Sequence, residues 1–88
     1  MENHINIYKT FSNKNRVQLI LCLAYPKSVT ELHTHCKLSQ SALSQHLKVL
    51  KDAGVVSCVR EGKKQIYSIR NKKIVQIAKL LEELSVSK

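Results

Sequence analysis

A polar run between residues 39 and 51 holds side chains whose types and spacing suit hydrogen bonding to the edges of nucleic-acid bases. Gln40, Ser41, Ser44, Gln45, Lys48 and Lys51 fall on one side of a helical period, opposite Leu43, Leu47 and Leu50. A glutamine amide can pair with adenine through two hydrogen bonds, and a serine hydroxyl can donate or accept at several base edges. Lys48 and Lys51, with Arg60, Lys63 and Lys64 further along, supply cations that neutralise phosphates without reading sequence. The exposed face from Gln40 to Lys51 carries no acid, and a carboxylate there would meet phosphate repulsion. Ser39 and His46 complete the group: Ser39 at the start of the helix, His46 as a structural or phosphate-facing residue.

Positioning these groups requires a short succession of elements. A first amphipathic stretch spans Asn6 to Phe11. Ser12 or Asn13 can cap a second helix, in which Val17, Ile20, Leu21 and Ala24 share one face and Leu19, Cys22 and Leu23 another. That helix is expected to be buried nearly all round and to end at Pro26. Ser28-Val29-Thr30-Glu31 is a capping box opening a short helix to about Cys36. Lys37-Leu38 turns the chain, Ser39 caps the next helix, and Gly54 ends it. From residue 55 the period changes from 3.6 to 2, and two strands flank the turn Glu61-Gly62-Lys63-Lys64, giving a basic hairpin over about 55–69. Asn71 caps a last helix over about 71–86, with Ile74, Ile77, Ala78, Leu81 and Leu84 on a shared face. Two helices joined by a tight turn and followed by a hairpin make a winged helix-turn-helix. The expected fold is mainly α with a two-stranded β wing, its recognition helix presented to the major groove of double-stranded DNA.

Charge and length agree with a binder of polyanions. The chain has 88 residues and a net charge of +9. Between Lys37 and Lys73, nine Lys or Arg face only Asp52 and Glu61, so this stretch carries +7 of that total. Eighty-eight residues suffice for one domain, 1–88, and leave no room for a second. Paired carboxylates, a Ser/His/Asp order and a Gly-rich phosphate loop are all lacking, so no enzyme is expected, and no cofactor. A winged helix docking a protein is the competing class, but its basic, acid-free face is unlike the charge-depleted core of a protein interface. The start lacks a basic segment leading into an apolar stretch, and the longest apolar run, Leu19 to Tyr25, is too short for a bilayer. Three cysteines without a C-x-x-C pair fit reduced thiols in a cytoplasm, with no membrane partner.

The segment Leu38-Ser39-Gln40-Ser41-Ala42-Leu43-Ser44-Gln45-His46-Leu47-Lys48-Val49-Leu50-Lys51-Asp52-Ala53-Gly54-Val55-Val56 resembles the recognition segment of the ArsR/SmtB repressors. Arg60-Glu61-Gly62-Lys63-Lys64 with Ile66-Tyr67 resembles their wing, and the likeness runs over roughly residues 7 to 84. The resemblance implies a bacterial homodimeric repressor that binds a palindromic operator and is released by an effector of unknown identity. It also implies a dimer interface on the first and last helices, here Tyr8 and Phe11 with Ile74, Ile77, Ala78, Leu81 and Leu84. The apolar stripe of the last helix suits that role independently, because so small a domain gains little by burying it alone.

Family members that sense metals set the remaining expectations. Their site on the last helix uses a carboxylate and histidines, and residues 71–88 contain no His or Asp. A second family site has two cysteines two apart on the helix before recognition, where this chain has His33 and His35, followed by Cys36. With His4 from the N-terminal arm, these are the candidate metal ligands; the plainer reading has both histidines exposed and Cys36 filling a core position. Some relatives pair a second-helix cysteine with one in the last helix. Cys22 lies near the first position, the last helix has none, and Cys58 in the first wing strand is the more accessible thiol. Cys22 and Cys58 are thus the candidate redox residues.

Overall fold

Four helices begin at a side chain that accepts from an otherwise unpaired backbone N–H, the donors a helix start leaves free. Asn13 Oδ1 accepts from Asn15 N (2.8 Å), Ser39 Oγ from Ala42 N (3.1 Å) and Asn71 Oδ1 from Lys73 N (2.9 Å). The capping box forms in both directions: Ser28 Oγ accepts from Glu31 N at 3.1 Å, and Ser28 N donates to Glu31 Oε1 at 2.8 Å. That backbone donor holds the Glu31 carboxyl below its ordinary pKa.

The computed structural model describes residues 7–86. Along them lie α1 (Ile7–Thr10), α2 (Lys14–Cys22), β1 (Lys27–Ser28), α3 (Val29–His35), α4 (Gln40–Asp52), β2 (Val56–Glu61), β3 (Lys64–Ile69) and α5 (Lys72–Val86). Helices α3 and α4 with the turn between them form the helix-turn-helix, and β2–β3 is the wing. The sheet has three strands, not the two expected, in the antiparallel order β1-β3-β2. Lys27 and Ser28 pair with Tyr67 and Ile66, so the residues entering the capping box also cover the far edge of the wing. Two residues are too few to show an alternation, which is why the sequence pattern hides this strand.

The core gathers one side of every longer element. Val17, Leu19, Ile20 and Leu23 meet Leu32 of α3, Leu43, Leu47 and Leu50 of α4, Val55 and Val56, and Ile74 and Ala78 of α5. Helix α2 ends earlier than expected, at Cys22 with Leu23 as its cap. Ala24 N donates to Leu21 O at 3.3 Å, a tightened last turn that spends the helix before Pro26 is reached. Ala24 is exposed, and Leu21 and Cys22 are half-buried, so α2 is wrapped on one side and open on the other.

Helix α4 closes with a Schellman motif. Gly54 adopts φ 81°, a left-handed conformation available to glycine without a Cβ penalty. Its N–H donates to Lys51 O (3.1 Å) and the Val55 N–H donates to Leu50 O (3.0 Å). Leu50 and Val55, both fully buried, supply the apolar contact that accompanies the motif, and the chain leaves directly into β2.

The expected single apolar face of α5 is split. Ile74 (2 % exposed) and Ala78 (0 %) belong to the protomer's own core and have no surface to offer a second chain. The exposed row is Ile77, Leu80 and Leu84, with Leu81 half-buried between the two sets. A helix turns 100° per residue, so the five apolar residues between Ile74 and Leu84 fan out around the axis, and one neighbour, α2, packs against only part of them.

Candidate nucleic-acid interface

Between α4 and the wing lies an open cleft of about 600 Å³. Gln40, Ser44, Lys48 and Lys51 line its α4 side, and Arg60, Lys63 and Lys64 its wing side, all seven being residues expected to contact DNA. They meet because Leu43, Leu47 and Leu50 anchor the opposite face of α4 in the core. The β2–β3 register meanwhile places Arg60 opposite Gln65 and Glu61 opposite Lys64. Gly62, at φ 64°, makes the wing turn, and Arg60 Nε donates to its carbonyl at 3.4 Å, giving the guanidinium a preferred direction.

The remaining expected contacts sit differently. Ser41 and Gln45 are exposed on the strip of α4 next to the cleft rather than inside it. Ser39 is exposed, but its Oγ is engaged as the α4 cap. His46, placed in the expected DNA-contacting set, is half-buried and turned towards α2: its Nδ1 lies 3.5 Å from Arg16 Nη1. A guanidinium can only donate, so Nδ1 accepts and the neutral ring is the fitting form. Burial, helped by the Arg16 charge, lowers the His46 pKa in the same direction. Arg16 Nη2 also donates to Lys9 O and Ser12 Oγ, both at 2.8 Å, so one side chain joins the α1–α2 turn to the recognition helix.

Several cleft residues escaped the sequence reading. Thr30 enters from the first turn of α3, and Gln65 and Tyr67 from β3. The Tyr67 phenol is pushed above its ordinary pKa by burial, with Cys58 opposite it in the sheet adding to the effect, so it stays a protonated donor. Asp52 also borders the cleft, with its Oδ2 3.5 Å from Lys48 Nζ, so the surface is not free of acids as the stretch to Lys51 suggested. Its i, i+4 position relative to Lys48 was the available signal.

The candidate sensor residues are dispersed, apart from one pair. His33 and His35 are exposed and Cys36 half-buried, and His4 lies outside the described residues. Among the described residues no group of three or more His, Cys, Asp or Glu is placed to hold a metal ion. Cys58 is half-buried on β2, while Cys22 has its Sγ 3.8 Å from Cys36 Sγ, a pairing the sequence reading did not foresee. Among the described residues no helix is long and apolar enough to cross a membrane.

Comparison with known proteins gives this geometry its context. Residues 13–57 match the family described as bacterial regulatory protein, arsR family. An HTH-type transcriptional regulator of Methanocaldococcus jannaschii is 33% identical over 94% of this chain and 96% of its own length. The structure of HlyU from Vibrio cholerae superposes with a TM-score of 0.78 at 34% identity, covering 89% of this chain and 86% of HlyU. The transcriptional repressor BigR from Xylella fastidiosa gives 0.83 at 31% identity, over 94% and 86% of the two chains. A basic cleft between recognition helix and wing, on a fold and sequence shared with these proteins, makes the chain a DNA-binding transcriptional regulator belonging to the arsR family.

Proposed function

We propose that the chain acts in the cytoplasm as a homodimeric repressor, each protomer reading half of a palindromic operator. Helix α4 enters the major groove, where Gln40, Ser41, Ser44 and Gln45 address base edges. Lys48, Lys51, Arg60, Lys63 and Lys64 grip the flanking phosphates. The observation that carries this reading is the cleft itself, in which seven of the expected polar and basic side chains converge from α4 and the wing. The exposed apolar row Ile77, Leu80 and Leu84, with Tyr8 (90 % exposed) on α1, supports dimerisation through the first and last helices. Phe11 and Leu81 line a hollow of about 530 Å³ between those ends of the chain, continuous in kind with the same apolar surface.

Selection of bound duplexes from a random pool, followed by footprinting, tests the proposal. An inverted repeat protected on two successive turns of one face is the expected result. Recovery of no preferred sequence would refute it.

Base-reading and phosphate-gripping residues should separate cleanly. Gln40→Ala or Gln45→Ala should cost about 1–3 kcal/mol on the operator if the contact is bidentate, and little on random DNA. Lys63→Ala should weaken both alike and flatten the dependence of log K on log salt by about 0.9. Equal losses on operator and random DNA for both kinds of variant would reverse these assignments. Asp52→Asn should act in the opposite direction. It removes the carboxylate beside Lys48 and should raise affinity for random duplex while steepening the salt slope. Stability should move by only a few tenths of a kcal/mol, since exposed i, i+4 pairs contribute about 0.3–0.5 kcal/mol. A salt titration of both proteins on one duplex decides it, and unchanged slopes would exclude Asp52 from the interface.

A further inference from the structure

We propose that Cys22 and Cys36 form a dithiol site that a hydroperoxide converts to a disulfide, and that this bond weakens DNA binding by drawing the turn before α4 towards α2. The effect on DNA rests on the function proposed above; the chemistry of the thiols does not.

The two sulfurs lie 3.8 Å apart, although 14 residues separate them in sequence. Cys22 is the last residue of α2 and Cys36 the cap of α3, its N–H donating to Leu32 O at 2.8 Å. Both are free and half-buried. They line a hollow of about 330 Å³ with Asn15, Gln18, His35 and Lys37, and among the described residues no carboxylate borders it. A small oxidant therefore has room to reach the sulfurs. Cys58 lies elsewhere, on β2 opposite Tyr67.

The pair has an order of reaction. Burial, and then the proximity of Cys22, push the Cys36 thiol up to about 11, so Cys36 enters as a thiol and the attack falls to Cys22. Its thiolate attacks one peroxide oxygen. A sulfur–oxygen bond forms, the oxygen–oxygen bond breaks, and the departing alkoxide takes up a proton to become an alcohol. Cys36 sulfur then attacks the Cys22 sulfenic acid: the sulfur–sulfur bond forms, the sulfur–oxygen bond breaks, and hydroxide leaves with the Cys36 proton as water. In sum two thiols and one hydroperoxide give one disulfide, one alcohol and one water. The two electrons lost by sulfur reduce the peroxide.

Closing the bond requires the sulfurs to approach from 3.8 Å to about 2.05 Å. Cys36 stands three positions before Ser39, the cap of α4, so part of that movement falls on the turn holding Gln40 and Ser41. Displacing one bidentate base contact corresponds to about a tenfold loss of affinity.

The test exposes the reduced full-length protein to cumene hydroperoxide, alkylates the remaining thiols and maps the peptides by mass. Expected is a Cys22–Cys36 link with Cys58 alkylated, present also in C58S and absent in C22S and C36S. On a duplex selected from a random pool by the reduced protein, oxidation should lower affinity about tenfold in wild type and C58S. Dithiothreitol should restore it, and C22S and C36S should not respond. Alkylation of both Cys22 and Cys36 after treatment would overturn the site, and a link that leaves affinity unchanged would overturn its coupling to DNA. If the reduced protein selects no duplex, the DNA-binding reading fails instead, and the thiol map, made without DNA, tells the two failures apart.

Discussion

Leu84→Glu is expected to leave each protomer folded while abolishing the dimer and, with it, tight operator binding. Leu84 is 76 % exposed and Leu80 59 %, both on the outer row of α5, so neither contributes to the protomer's core. A charge at such a surface position usually changes stability by no more than about 0.5 kcal/mol. At a dimer interface the same charge would be desolvated without a partner, which costs far more. Linking two half-site readers raises operator affinity by a factor on the order of 10² to 10⁴ over one reader alone, and that factor should be lost. Sedimentation should show a monomer, circular dichroism an unchanged helix content, and a single half-site duplex should bind as before. A Leu84→Glu protein that stays dimeric would move the interface off the outer face of α5.

Leu50→Ala should have the largest effect on stability, lowering it by about 2–5 kcal/mol through lost apolar burial and the cavity left behind. Leu50 is fully buried, and its carbonyl accepts the Val55 N–H that closes α4, so truncation loosens both the core and the exit into the wing. At typical stabilities per residue, a domain of this length has roughly 4–13 kcal/mol in total, so the loss is a large fraction of it. In urea the midpoint should fall with little change in slope. Lys51→Ala, one position along and exposed, should barely shift it. A loss under about 1 kcal/mol at Leu50 would mean that the site collapses around the alanine.

The candidate site was legible to different depths along the chain. Gln40, Ser44, Lys48 and Lys51 could be placed together because a 13-residue helix with three buried leucines on one side has only one exposed side. Arg60, Lys63 and Lys64 followed from a hairpin whose glycine turn is explicit in the sequence. His46, expected to be structural or phosphate-facing, holds a position on the helix intermediate between the two faces. Its Nδ1 there meets Arg16, which arrives from α2. Thr30, Gln65 and Tyr67 join the cleft through the docking of α3 and β3, and nothing in their own segments announces it. Ile74 and Ala78 share an apolar period with Ile77, Leu81 and Leu84, and periodicity cannot tell which neighbour covers each part of a wide stripe.

What the residues determined by themselves was local. Helix starts at Asn13, Ser28, Ser39 and Asn71, the stop at Gly54 and the wing turn at Gly62 all depend on contacts within about five positions. The family resemblance rests on the residues of the recognition segment and the wing, and the display of a surface of one charge sign needs only an amphipathic helix. Tertiary structure decided the rest. It added β1 to the wing, divided α5 between the protomer's core and its exposed apolar row, and turned His46 towards Arg16. It also brought Cys22 within 3.8 Å of Cys36. Each of these is a meeting of segments far apart in sequence. Their closeness follows from how several faces pack at once, which no single stretch of the chain encodes.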